Sequence, residues 1–157
     1  LEVTYTYMIT EIDGDLTKQP IQAMIHQCNC QNTMGSGIAR IIRDKYPEAY
    51  EADCKTVRGD PSKMGTFSLG IGKDGMLIYN CYSQFSYGRD KRYTNYESIY
   101  SGLSRIKDDA EKRALKDIGL PKLIGCNQAG GSWDIVRSMI EVIYKNSKVN
   151  LWICNYN

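Results

Sequence analysis

Two glycine-containing turns constrain this fold most, because each lies between an apolar strand-like run and an amphipathic helical pattern. The first is "CNCQNTMGSGIA" at 28–39, and the second is "GCNQAGGSWDIV" at 125–136. Glycines let backbone N–H groups turn toward a bound group, and a helix N-terminus carries partial positive charge. Two such turns can together hold a diphosphate, although either one alone also fits a tight strand-to-helix connection.

Strand-like and helix-like patterns alternate along the chain. Apolar or β-rich runs predict strands at 3–12, 21–28, 64–72, 75–83, 121–126 and 149–154. Helical spacing predicts a helix from Ser36 with a second piece at Pro47, a helix from a Thr94–Glu97 capping box to Gly119 and Pro121, and a helix capped by Ser132 with Trp133 in the core. This order predicts one domain over 1–157, an α/β fold of three layers (α/β/α) with a mixed, largely parallel sheet and ligands at the carboxyl ends of its strands.

Composition excludes several classes of protein. The net charge is +2 over 157 residues, which is far from the clustered basic excess of a DNA-binding protein. Apolar runs stay well below the ~18 residues that a membrane span needs, and the start "LEVTYTYMITEIDGD" lacks the pattern of a signal peptide. We therefore expect a cytoplasmic monomer that binds neither membrane nor DNA.

The six cysteines and the single histidine do not have the spacing of a metal site. No CxxC pair occurs, and His26 is the one histidine available to join them. We expect buried thiols, no metal and no cofactor, and we keep a nucleophile pair of His26 with Cys28 or Cys30 as an alternative.

Three motifs in order resemble the macro domain family, whose members bind ADP-ribose. They are "IDGDLT" (12–17), "HQCNCQNTMGSGIA" (26–39) and "IGCNQAGGSW" (124–133), and they span nearly the whole chain. The second motif is similar to the corresponding motif of the ADP-ribose-1''-phosphate phosphatase and terminal ADP-ribose glycohydrolase branches of the family. Small members of the family are also carried by bacteriophages.

The resemblance implies a role for individual residues. Asp15 would accept a hydrogen bond from the adenine amino group beside the backbone of Leu16, Asn29 would face the distal ribose, and Tyr156 would lie against the base. The remaining implied contacts form two phosphate loops: Gly35, Ser36, Gly37 and Ile38 in the first, and Asn127, Gln128, Ala129, Gly130 and Gly131 in the second. The alternatives are a turn acid at Asp15, local backbone bonding at Asn29 and edge packing at Tyr156.

Two departures bear on chemistry. Ser83 and Ala129 stand where the glycohydrolase branch has a lysine and an aspartate, so the covalent lysine mechanism is not expected. The phosphatase branch also lacks that aspartate. His26 is then the candidate acid or base, with Asp134 as the second candidate. A buried structural histidine and a helix N-terminal charge are the respective alternatives.

The segment "SYGRDKRYTN" (86–95) carries three basic residues, Arg89, Lys91 and Arg92. It is either a solvated loop or a lid that meets a substrate phosphate. Overall the sequence predicts a phosphatase that converts ADP-ribose 1''-phosphate to ADP-ribose. The alternatives are a non-catalytic ADP-ribose reader and a hydrolase of ADP-ribosylated protein.

Overall fold

The structure, a computed structural model, describes residues 8–156. Within that range the strands and α-helices are, in chain order, β1 (Ile9–Asp13), β2 (Ala23–Asn29), α1 (Gly37–Lys45), α2 (Pro47–Cys54), β3 (Phe67–Ile71), β4 (Leu77–Gln84), α3 (Tyr96–Lys112), β5 (Asp117–Pro121), α4 (Trp133–Tyr144) and β6 (Asn150–Asn155), and short 3-10 helices span Leu16–Lys18 and Pro61–Lys63. Residues 3–7 of the first predicted strand lie outside the described part of the chain.

The strands form one sheet in the order β1-β6-β5-β2-β4-β3. Neighbouring strands are parallel except for β3, which pairs antiparallel with β4 at one edge. This mixed, largely parallel sheet confirms the predicted fold class.

The central strand β2 shows why helices cover both faces. Its side chains alternate between two apolar clusters, with Ala23 and Ile25 on one face and Met24 and Cys28 on the other. The first cluster includes residues of α3 and α4, and the second includes residues of α1 and α2. A strand buried on both faces needs this continuous apolar run, which is the pattern in the sequence.

One strand prediction was wrong. The segment 121–126 is not a strand: helix α3 ends at Lys112, and Pro121 is the last residue of β5. Gly119 belongs to β5, where it pairs with Trp152 of β6, and does not end the helix. A Cβ at this position would lie 2.9 Å from Leu16 Cδ1 and 3.0 Å from Ile21 Cδ1. The side chains of Leu16 and Ile21 therefore pack directly against the backbone at Gly119, and a side chain there would have to displace them.

The predicted capping box at Thr94 was also wrong. Asn95 caps α3, since its side chain accepts a hydrogen bond from the Ser98 N–H at 2.9 Å. Thr94 instead donates its hydroxyl to the Gly125 carbonyl at 2.6 Å. The helices predicted from Ser36 and Pro47 are confirmed as α1 and α2, and Ser132 occupies the N-cap of α4.

Candidate ligand-binding site

A cavity of about 430 Å³ opens at the carboxyl ends of β2, β4 and β5. These strands are neighbours in the sheet, so the residues that follow them meet at one edge. The lining comprises residues 27–29, Gln84, Tyr87, Gly88 and 121–125 from these strand ends, 33–39 from the first loop and the start of α1, and 127–129.

The first loop, residues 30–36, is held from beneath. Asn32 and Met34 have positive φ angles of 55° and 41°, which side-chain-bearing residues rarely adopt. The buried Lys63 ammonium donates to Asn32 Oδ1 at 2.8 Å, and Arg43 Nη1 donates to the Thr33 carbonyl at 3.0 Å. Together with the burial of Met34, these bonds stabilise a backbone that leaves Gly35 exposed at the cavity.

Helix α1 begins at the cavity wall. Ser36 is the N-cap, its side chain makes no capping hydrogen bond, and the first helical bond returns from Arg40 N to the Ser36 carbonyl at 3.3 Å. The N–H groups of residues 37–39 therefore have no partner within the helix, and all three residues line the cavity. Free N–H groups and the positive end of the helix dipole favour an anion here.

The second loop, residues 122–131, is fixed by the segment before α3. The Ala129 carbonyl accepts hydrogen bonds from Tyr93 N at 2.8 Å and Thr94 N at 3.1 Å. The N–H groups of Gln128 and Ala129 donate to no atom of residues 8–156, and both residues line the cavity. This loop thus faces the first one with donors of its own.

The structure brings most of the predicted ligand residues together. Those that line the cavity are Asn29, Gly35, Ser36, Gly37, Ile38, Asn127, Gln128 and Ala129. Gly130 and Gly131 are not part of the lining: a Cβ on Gly130, whose φ is +79°, would approach Arg92 Cα to 3.2 Å. The absence of a side chain at these glycines allows the loop to pack closely against its neighbours, and their contact with a ligand stays a prediction.

The side chain of Asn29 already has local partners. Its Nδ2 donates to Thr33 Oγ1 at 2.7 Å, and its Oδ1 accepts from Gln31 N at 2.8 Å. These bonds match the alternative of local bonding. An amide carries a second N–H and a second lone pair, so Asn29 keeps one donor and one acceptor for a ligand.

Asp15 and Tyr156 lie at the same sheet edge but outside the cavity lining. Asp15 Oδ1 accepts from Thr17 N at 2.9 Å and Thr17 Oγ1 at 2.8 Å, while Oδ2 accepts nothing from the described residues. Partial burial raises the pKa of Asp15, and the bonds from Thr17 outweigh that effect and lower the pKa overall. Leu16 is buried in the core, and Tyr156 is 70% exposed.

His26 is placed away from the cavity. It is fully buried on the α1/α2 face of β2, and its Nε2 lies 2.6 Å from Asn80 Oδ1. Burial lowers the pKa of His26 to about 4, and the hydrogen bond to Asn80 opposes that effect. Cys28 Sγ is 3.5 Å from the ring, but burial raises the pKa of this thiol well above its usual value. Cys28 lines the cavity but His26 does not, and a buried, neutral ring behind the lining fits a structural histidine, so we assign no reaction step to His26.

Asp134 and the basic segment also lie outside the lining. Asp134 is exposed on the first turn of α4. The Lys91 ammonium lies 5.1 Å from the ring centroid of Tyr93, and the Arg92 guanidinium lies 4.6 Å from that of Tyr96. Both cations are therefore held over tyrosine rings, and the segment contributes Tyr87 and Gly88 to the cavity rather than its charges.

Sequence reasoning missed several lining residues, notably Gln27, Gln84 and Lys122. Gln84 is the last residue of β4 and lines the cavity. It follows a shift in register between the strands, because Cys28 pairs with Tyr82 but the next residue, Asn29, pairs with Gln84. Lys122 was not predicted as a lining residue because the segment 121–126 was wrongly predicted to be a strand. The period of β2 could have identified Gln27, because it shares a face with Asn29.

Residues 8–156 show neither a metal-binding cluster nor a membrane-spanning helix. No group of three or more His, Cys, Asp or Glu side chains is arranged there to hold a metal ion. No helix in that range combines the length and apolar character needed to cross a membrane.

The fold and this site define a macro domain. The macro domain family model matches residues 25–140, and the chain belongs to that family. An ADP-ribose 1''-phosphate phosphatase of Debaryomyces hansenii is 41% identical, with 93% of this chain and 99% of that protein covered. A phosphatase of the same name from Aspergillus fumigatus is 47% identical over 60 residues, which is only 30% of its length. An uncharacterized 17.5 kDa protein of Enterobacteria phage T4 is 27% identical, covering 83% of this chain and 84% of that protein.

Solved structures show the same fold. The macrodomain of Thermus aquaticus DarG superposes with a TM-score of 0.78 at 21% identity, covering 96% of this chain and 98% of that one. Thermosipho africanus DarTG in complex with ADP-ribose gives a TM-score of 0.76 at 19% identity, covering 99% of this chain and 43% of that one.

Proposed function

We propose that this protein binds ADP-ribose across the carboxyl edge of its sheet. The observation that carries the proposal is the cavity between the two loops, which is bordered by the free N–H groups of residues 37–39 on one side and of 128–129 on the other. Such converging backbone donors suit a diphosphate, whose oxygens are acceptors.

The position of Asp15 supports the orientation of the ligand. β1, which precedes Asp15, is three strands away from β2 in the sheet. At about 4.8 Å between strands, that separation is about 14 Å. A ligand with its base at Asp15 and its diphosphate at the loops would therefore lie extended across the strand ends, with Asp15 Oδ2 accepting from the adenine amino group.

We further propose that the protein hydrolyses the phosphate ester of ADP-ribose 1''-phosphate. The Debaryomyces hansenii relative carries that activity in its name and aligns over nearly its full length. Phosphoryl transfer depends chiefly on positioning and on stabilising the charge of the transferred group. The N–H groups of the two loops are the groups of the lining that would do this, whereas the Lys122 ammonium lies 3.6 Å from Glu11 Oε2 and is paired with that carboxylate.

Binding without turnover is the second candidate. Among the described residues of the lining, none is Asp, Glu or His, so no carboxylate and no imidazole lines the cavity. Hydrolysis of ADP-ribosylated protein is less favoured, because Ser83 stands in place of the lysine expected of that branch and is buried. A monomeric state and a cytoplasmic location remain parts of the proposal.

Turnover and binding are separated by one set of measurements. Purified protein is incubated with ADP-ribose 1''-phosphate and, separately, with ADP-ribosylated protein, while calorimetry measures ADP-ribose affinity. We expect release of inorganic phosphate and ADP-ribose from the first substrate. Binding of ADP-ribose with no product from either substrate would support the non-catalytic ADP-ribose reader. No binding at millimolar ADP-ribose would overturn the proposed ADP-ribose-binding function.

A further inference from the structure

Gln27 lies on the floor of the cavity, and its side chain is held in one orientation. It belongs to the central strand β2 and points to the same face as Asn29, two residues or about 7 Å further along. Its Nε2 lies 2.9 Å from Ser83 Oγ and 3.0 Å from Thr94 Oγ1.

The hydrogen-bond partners of Gln27 determine the positions of its amide nitrogen and its amide oxygen. Thr94 has a single hydroxyl proton, and it donates that proton to the Gly125 carbonyl at 2.6 Å. Thr94 Oγ1 can therefore only accept from Gln27, so the atom facing it must be the amide nitrogen and not the oxygen. With one N–H directed to Thr94 and the other to Ser83, both donors of Gln27 are used.

The remaining atom, Gln27 Oε1, is open. It accepts no hydrogen bond from residues 8–156. The described buried side-chain atoms without a partner are Asp53 Oδ2, Arg137 Nη1 and Tyr144 Oη, so Oε1 is not enclosed. Helices α3 and α4 cover this face of the sheet, and the cavity is where Gln27 meets open space. The protein thus presents a fixed, unpartnered acceptor to its ligand.

We propose that Gln27 is a specificity-determining residue whose Oε1 accepts a hydrogen bond from a hydroxyl of the terminal ribose. The inference rests on the proposed binding of ADP-ribose. A carbonyl oxygen carries only lone pairs, so it attracts a hydroxyl and repels a phosphate oxygen. The phosphates belong with the N–H groups of the two loops, and Gln27 lies further back along β2 than those groups. The hydroxyls of the terminal ribose are the donors that reach this floor.

Two ligands and two variants test this assignment. ADP has the base, the first ribose and the diphosphate but no terminal ribose, so it serves as the matched ligand. Gln27→Met keeps the length of the side chain and removes the acceptor. We expect ADP-ribose affinity to fall by about twofold to tenfold, the range for one neutral hydrogen bond, while ADP affinity stays the same. Ser83→Ala removes one of the two anchors outside the lining and should give a smaller loss with the same selectivity.

The outcomes are distinct. An equal loss for ADP and ADP-ribose would mean that Gln27 only supports the loops, and an unchanged ADP-ribose affinity in a folded variant would also overturn the assignment. If Gln27→Met does not fold, Ser83→Ala decides by the same comparison. A failure of the unsubstituted protein to bind ADP-ribose would instead refute the proposed function.

Discussion

The buried position of His26 predicts a specific pH dependence of stability. The folded protein holds this ring neutral, with a pKa of about 4, whereas an unfolded chain protonates it near 6.5. Between these values the unfolded state binds one more proton than the folded state, so the free energy of unfolding falls as the pH falls from about 6.5 to about 4. Above that window the contribution of His26 is constant.

The size of the effect follows from the gap of about 2.5 pKa units at 1.36 kcal/mol per unit. Relative to pH 7.5, we expect His26 to lower the free energy of unfolding by about 1.4 kcal/mol at pH 5.5 and by about 2.5 kcal/mol at pH 4.5. Since His26 is the one histidine of the chain, no other imidazole contributes.

The effect is measured by urea unfolding at about pH 7.5, about pH 5.5 and about pH 4.5. The protein and the variant His26→Gln are compared at each pH. The glutamine amide can still donate to Asn80 Oδ1, and it does not titrate. Carboxylates with lowered pKa values, such as Asp15, Asp60 and Asp74, lose stabilisation in both proteins and cancel in the difference. Parallel stability curves for the two proteins would refute the burial argument. A loss of phosphatase turnover per folded molecule in His26→Gln would restore a catalytic histidine.

Three further predictions concern the loops and the core. Ser36→Glu should weaken ADP-ribose binding by about tenfold or more in calorimetry, because a carboxylate at the cavity repels the diphosphate, while Ser36→Ala should bind normally since Ser36 makes no capping bond. Lys63→Met should lower the free energy of unfolding by about 1–3 kcal/mol in urea and weaken ADP-ribose binding, because Asn32 loses the bond that holds the first loop; intact affinity would show that the loop keeps its shape without it. Gly119→Val should lower the thermal midpoint, at a cost of about 1–3 kcal/mol, since its side chain would collide with Leu16 and Ile21; an unchanged midpoint would contradict the packing.

The strand and helix order was predictable because periodicity and turn residues record local preferences. The parts that failed depend on contacts between distant segments. Gly119 has the local signature of a helix stop, yet it is a strand residue that makes room for side chains from residues 16 and 21. Thr94 has the signature of a cap, yet its hydroxyl bonds a carbonyl 31 residues away.

The site was predictable to the same limit. The glycine and serine residues of the first loop indicated a binding turn, and they line the cavity. Gly130 and Gly131 carried the same local signal, but they lie outside the lining, where the lack of a Cβ lets the loop approach residues 92 and 125 closely. Burial cannot be deduced from residue type alone, so a histidine in the motif attracted a catalytic assignment that its position does not support.

The alternation of side chains between the two faces of β2 also constrains the length of this strand. The side chains of residues 26 and 27 point to opposite faces: His26 is buried in the apolar layer, and Gln27 lines the cavity. Inserting or deleting a single residue in β2 would exchange them, directing the amide into the core and the imidazole into the cavity. A change in the length of β2 would therefore disturb the apolar layer and the cavity at the same time, whereas a substitution at position 26 or 27 alters only one of them.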